Sequence, residues 1–185
     1  MMKKMSGMQK NIDEQEAVIT NLVKKYPEDI QDFAESLLSR EQIFIVATGA
    51  SLNAALSSVP AFAHFANRVP IVLPASEIMY YSHLFNEKNA VVLISQSGNS
   101  YETVQMCELM KKNRSPFWGI TNEADSSLAK MADHLLFMEA EKEVSSATKT
   151  YTASVLLLQM AAAWSSQNKA ITELPQCVSQ TLHDC

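Results

Sequence analysis

Ser95-Gln96-Ser97-Gly98-Asn99-Ser100 is the run in which side chains capable of holding a ligand crowd most closely together. It follows Val91-Val92-Leu93-Ile94, an apolar, β-branched stretch that reads as a fully buried strand. Beyond it, Glu102 to Met110 reads as a helix. A buried strand that ends in hydroxyls and a glycine and then opens a helix suits an anion. The first helical N–H groups have no intrahelical acceptor, and the helix dipole is positive there. Gly98 lets the backbone turn and approach a ligand closely. Ser95, Ser97 and Ser100 add hydroxyl donors and Gln96 an amide. A phosphate group meets these conditions. The plainer alternative is a strand–helix turn capped by Ser97 or Ser100, with no ligand.

A second turn of the same kind weighs toward the ligand. Ile43 to Ala47 reads as a strand, followed by Thr48-Gly49-Ala50-Ser51, with Ser51 expected as the N-cap of the next helix. Two hydroxyl-bearing turns at the ends of parallel strands can converge on one molecule. Proton-transfer chemistry would need a general acid or base nearby, and Glu77 and Glu102 are the candidates. Both also fit the plainer role of an acid in the first turn of a helix. His64, His83 and His134 stand in no pattern with a partner. There is no GxGxxG and no GxxxxGK[ST], so a dinucleotide or P-loop site is excluded on its own motif. There is no CxxC and no His/Cys cluster, so no metal site is expected, and nothing calls for a cofactor.

The elements that would position these residues alternate. After a polar, Met-rich residues 1–9, expected to be frayed, two amphipathic helices are predicted over 11–25 and 30–38. Strands are expected at 43–47, 70–73, 91–94, 117–120 and 134–138. Helices are expected from Leu52 to about Asn67 with Pro60 kinking it, briefly after a Ser76 cap, over 102–110, and up to Met131 behind Asp125 or Ser126. A charged loop over 139–144 leads to a last helix, Lys149 to Trp164. This pattern predicts an α/β fold: a three-layer αβα sandwich on a five-stranded parallel sheet, preceded by N-terminal helices. Three segments follow: helices in 1–40, the sheet domain in 41–165, and a tail or linker in 166–185. With flavodoxin-like strand order 2-1-3-4-5, the reversal point lies between the strands that end near Ser51 and Ser95, where such sheets bind ligands. The last helix is apolar nearly all round, which predicts burial on more than one side and, in so small a domain, a subunit or domain interface.

Net charge is −5, which argues against a nucleic-acid partner but not against a phosphate held by amides and hydroxyls. No apolar stretch is long enough for a membrane span. Three cysteines, Cys107, Cys177 and Cys185, with no leader sequence, point to a reducing cytoplasm.

Five pieces in order also resemble one family. Ser95-Gln96-Ser97-Gly98 after an apolar strand is similar to the signature of the SIS (sugar isomerase) domain. Val46-Ala47-Thr48-Gly49-Ala50-Ser51 matches its first strand and Gly-x-Ser turn, and Pro74-Ala75-Ser76-Glu77 its Ala-Ser-Glu segment. Ile120-Thr121-Asn122 with Asp125-Ser126-Ser127-Leu128-Ala129 is a fourth match, and Thr148-Lys149-Thr150-Tyr151-Thr152 a fifth. The likeness covers about residues 40 to 160 and is strongest to the first half of two-domain members: sugar-phosphate aminotransferases, deglycases and isomerases. It implies a hexose or ketose 6-phosphate as ligand, held by Ser51 and Ser95 to Ser100, with Ser146 as a further contact. It also implies a homodimer or a partner SIS chain, because the catalytic carboxylate, lysine and histidine of such members lie in the second half or a partner subunit. SIS domains that sense sugar phosphates without reacting them are the alternative. Two departures stand out. Ile78-Met79 replace the family's Phe-Arg after the Glu, and the loop from Glu141 to Lys149 is one residue longer.

Overall fold

The computed structural model describes residues 6–143 and 146–164. Its centre is a five-stranded sheet in the order β2-β1-β3-β4-β5, all parallel. The strands are β1 (Ile43–Ala47), β2 (Ile71–Pro74), β3 (Ala90–Ile94), β4 (Trp118–Thr121) and β5 (His134–Phe137). Every residue of β1, β3 and β4 is buried, as parallel strands covered on both faces must be.

Alternate residues of these strands feed two cores. Ile43, Ile45, Val92, Ile94 and Ile120 enter one, where they meet α2 (Gln15–Lys25), α3 (Pro27–Leu38), α4 (Gly49–Ala66) and α7 (Lys149–Trp164), while α1 (Gly7–Asp13) packs on α2. Phe44, Val46, Val91 and Leu93 enter the other. That side is covered by a 3-10 helix (Ala75–Leu84), α5 (Tyr101–Asn113) and α6 (Ser127–Met131). The three-layer sandwich and its strand order are therefore as expected from the alternating pattern.

Several local expectations need correction. Residues 7–9 are not frayed: they open α1, whose first turn is capped by Ser6 Oγ accepting from the Gln9 N–H at 3.1 Å. The Ser-x-x-Gln spacing carries that cap in the sequence. Ser76 caps nothing: the 3-10 helix begins behind Pro74 without a side-chain cap. Of the two candidates before α6, Ser126 is the cap, accepting from Ala129 N–H at 3.2 Å. Helix α4 starts at Gly49 rather than Leu52, holds Pro60 inside it, and is closed by Asn67, which takes the left-handed conformation at φ 50°.

The apolar α7 is indeed buried on several sides, but its cover is this chain. It packs on α4, α3 and α2, and Leu156, Leu157 and Leu158 are all buried. Leu156 itself is 4% exposed and packs within this chain, while Val155 and Gln159 are only partly buried and Trp164 is exposed. Helices α2 and α3 share one core with the sheet. Among the described residues, no helix is long and apolar enough to cross a membrane.

Leu157→Ala should lower stability by about 2–5 kcal/mol, the usual cost of a cavity at a fully buried leucine. Urea unfolding measures it. A variant of unchanged stability but altered mass in light scattering would restore α7 as an intersubunit helix.

Candidate functional site

The C-terminal ends of β1 and β3, neighbours at the point where strand order reverses, open into a cavity of about 270 Å³. Thr48, Ala50 and Ser51 line it from the start of α4, and Ser95, Gln96, Ser97 and Ser100 from the loop after β3. Glu143, Ala147, Thr150 and Tyr151 close it from the loop and first turn of α7. Five of the residues singled out in the sequence are thus brought together. The other three are not among the lining residues. Ser146 is exposed in a bend next to Ala147. Glu77 is exposed in the 3-10 helix, and Glu102 is half-buried in the first turn of α5.

Three helices begin at this cavity, and they are capped differently. At α5, Ser100 Oγ accepts from the Thr103 N–H at 3.3 Å and shares a 2.8 Å hydrogen bond with Thr103 Oγ1. At α7 the cap is a carboxylate. Glu143 Oε1 accepts from the Thr148 N–H at 2.6 Å, the Lys149 N–H at 2.7 Å and the Thr148 hydroxyl at 2.5 Å. Its Oε2 accepts from the Thr150 hydroxyl at 2.5 Å. At α4 there is no side-chain cap. Thr48 is the N-cap residue and makes no such bond, and Ser51, expected to be the cap, is the third residue of the helix, within its first turn. The correction has a chemical consequence. Ser51 faces the cavity from a first turn whose N–H groups have no side-chain acceptor, which is the arrangement that favours an external anion.

The loop after β3 is held from beneath. Gly98 has φ +61°, a conformation that suits glycine. A Cβ there would lie 2.3 Å from Ser126 Oγ, 2.6 Å from Ser126 Cβ and 2.9 Å from Thr121 Oγ1. Both its geometry and its surroundings therefore require glycine. Ser95 Oγ accepts from the Gly98 N–H at 3.1 Å, and the Gln96 carbonyl accepts from Asn122 N–H at 3.0 Å and the Thr121 hydroxyl at 3.2 Å. The end of β4 thereby fixes the loop's shape. Gly49, at φ +55°, also needs its left-handed backbone, but nothing lies within 4 Å of where its Cβ would be.

Glu143 was legible in the sequence only as part of a charged loop. Burial raises its pKa, but hydrogen bonds from the Thr148 and Thr150 hydroxyls and from the Thr148 and Lys149 N–H groups outweigh that and hold it below the ordinary 4.5. The same helical turn is anchored on its far side. Lys149 is buried and donates to Glu14 Oε2 at 2.6 Å, and the Thr152 hydroxyl donates to Gln15 Oε1. The Tyr151 hydroxyl pairs with Ser57 Oγ of α4 at 2.9 Å. Cys107 is buried, its thiol pushed up to about 11 by burial, which makes it unreactive at neutral pH. Cys177 and Cys185 lie outside the described residues.

The SIS domain family matches residues 36–164. This chain belongs to the SIS domain family. It is 36% identical over 157 residues to a glutamine–fructose-6-phosphate aminotransferase (isomerizing) of Thermococcus kodakarensis, covering 84% of this chain and 26% of that protein. An enzyme of the same description from Halalkalibacterium halodurans is 32% identical over 171 residues, 89% of this chain and 28% of that protein. The chain thus spans about a quarter of the length of these relatives. The C-terminal domain of glucosamine-fructose-6-phosphate aminotransferase from Francisella tularensis superposes with a TM-score of 0.78 at 25% identity, over 97% of this chain and 55% of that one. A glucosamine-6-phosphate deaminase from Thermotoga maritima shares the fold with a TM-score of 0.74 at 22% identity, over 92% of this chain and 53% of that one.

Two expectations follow from the geometry of this SIS domain. Gly49→Ala should cost about 1 kcal/mol, for the left-handed backbone alone. Gly98→Ala should cost about 3 kcal/mol, since Ser126 and Thr121 must also move; equal losses in chemical denaturation would contradict the close packing. The second concerns pH. A carboxylate whose folded pKa is depressed contributes stability above its unfolded value, and that contribution is lost as pH falls through the folded value. Stability should therefore fall as pH drops below about 4.5, and Glu143→Gln should make that acid limb shallower. An identical pH profile in the variant would show that the carboxylate is not engaged as described.

Proposed function

We propose that this SIS domain binds the phosphate end of a hexose or ketose 6-phosphate in the cavity between β1 and β3. The observation that carries the reading is the uncapped first turn of α4 facing Ser51, opposite the hydroxyl-rich loop at Ser95, Gln96, Ser97 and Ser100. Backbone amides and hydroxyls would hold the phosphate and so position the sugar, which is an orienting role rather than chemistry on the sugar itself. The glutamine–fructose-6-phosphate aminotransferases (isomerizing) that this chain resembles are about four times as long as the matched segment. We read this chain as the phosphosugar-binding part of such an isomerase, aminotransferase or deglycase system, working with a second copy or a partner SIS chain.

A non-catalytic sensor of sugar phosphates is a second reading, and one observation favours it. Glu143 is the only carboxylate among the described lining residues. It is held ionised by four hydrogen bonds, so it is a weak proton acceptor at neutral pH. Glu77 and Glu102 are not among the cavity's lining residues. Turnover by the purified chain, alone and mixed with candidate partner chains, separates the two readings.

The site itself is tested by calorimetry. Ser95→Ala with Ser97→Ala should weaken binding of fructose 6-phosphate or glucose 6-phosphate about tenfold or more, at roughly 1 kcal/mol per lost hydrogen bond. Ser146→Ala should leave affinity within about twofold. Unchanged affinity in the double variant would remove the loop from the site.

A further inference from the structure

A cavity suited to an anion would ordinarily carry a cationic side chain. Among its described lining residues there is no lysine, arginine or histidine, and the one charged side chain is a carboxylate, Glu143. Its two oxygens are unequally occupied. Oε1 accepts three hydrogen bonds, while Oε2 accepts one, from the Thr150 hydroxyl. A carboxylate oxygen can accept about two, so Oε2 keeps acceptor capacity on a residue that lines the cavity. The positive ends of two of the helices are already answered from within, by Ser100 at α5 and Glu143 at α7. Only the first turn of α4 lacks a side-chain cap. The cavity therefore has room, electrostatically, for one anionic group, at the α4 and Ser95–Ser100 side. A second anion placed toward α7 would meet a fixed negative charge in a cavity open to solvent, where the repulsion exceeds that in bulk water yet still weakens with added salt.

Resting on the phosphosugar reading, we infer that Glu143 is a specificity-determining residue: its carboxylate accepts a hydroxyl or amine of the bound sugar and rejects ligands that carry a second anionic group, such as sugar bisphosphates. Specificity of this kind comes from a built-in repulsive element rather than from tighter grip on the preferred ligand. The carboxylate serves both roles because its position is set by the cap it makes on α7. That cap fixes it whether or not a ligand is present, so the rejection costs no rearrangement.

The test measures affinities of the full chain for two pairs, fructose 6-phosphate with fructose 1,6-bisphosphate and glucose 6-phosphate with glucose 1,6-bisphosphate. The protein as it stands should prefer the monophosphate by about thirtyfold or more, and the preference should shrink as salt is raised toward 1 M. Glu143→Gln keeps an acceptor for the α7 N–H groups and removes the charge, so the preference should fall about tenfold. Glu143→Asp keeps the charge and should retain the preference even if stability drops. A purely structural role would instead weaken all four ligands in proportion and leave the ratio unchanged. If Glu143→Gln fails to fold, the salt dependence of the unaltered chain decides. Equal affinity within each pair, or a preference indifferent to both salt and the substitution, would overturn the inference and leave the phosphosugar reading standing. Binding of none of the four ligands would overturn that reading and the inference with it.

Discussion

The phosphate site we propose has no cation among its described lining residues, so it depends on backbone dipoles that are held still. In this SIS domain the constraint is met at Gly98. Its left-handed backbone and its packing against Ser126 and Thr121 shape the turn that carries Ser95, Gln96, Ser97 and Ser100 to the cavity. The turn is then tied to the end of β4 by the Gln96 carbonyl. A loose loop of the same composition would offer the same donors at a much larger ordering cost. Glycine here secures both a φ that other residues avoid and an approach that no side chain would allow.

A chain of contacts joins this site to the far side of the domain. Glu143 caps α7; Lys149, in the same helical turn, donates to Glu14 at the junction of α1 and α2; and Thr152 reaches Gln15. The Lys149 hydrogen bond holds the Glu14 carboxyl below the usual carboxylate range. A buried lysine needs a partner, and here the N-terminal helices supply it. The helices before the sheet are thus part of what holds the α7 wall of the cavity in place, besides covering the sheet. Within the chain, α2, α3 and α4 pack around α7.

Much of this was legible in the sequence because it rests on periodicity. Buried runs such as Val91–Ile94, separated by helical spacing, could only pack as parallel strands between helix layers, and the strand-order rule then placed Ser51 and Ser95 side by side. What periodicity does not carry is the partner of an individual polar group. Ser51 reads as an N-cap because it is a serine near a helix start, but α4 begins two residues earlier, at Gly49, which places Ser51 in the first turn, where it lines the cavity. Ser76 failed as a cap for a related reason, as the chain enters a 3-10 helix directly behind Pro74. Glu143 was hidden because its partners, Thr148 to Thr150, lie five to seven residues on, beyond the three-residue reach of a capping box. The apolar sequence of α7 reported that the helix is enclosed but could not say by what.

The central claim is that backbone amides at α4 and in the Ser95–Ser100 loop grip a phosphate. Backbone amide chemical shifts, followed by NMR while fructose 6-phosphate or glucose 6-phosphate is titrated in, test it most directly. The account predicts saturable shifts that are largest at Gly49, Ala50 and Ser51 and from Gln96 to Ser100, with inorganic phosphate moving the same amides more weakly. Saturable shifts centred elsewhere, or none at these amides while the ligand binds, would contradict it.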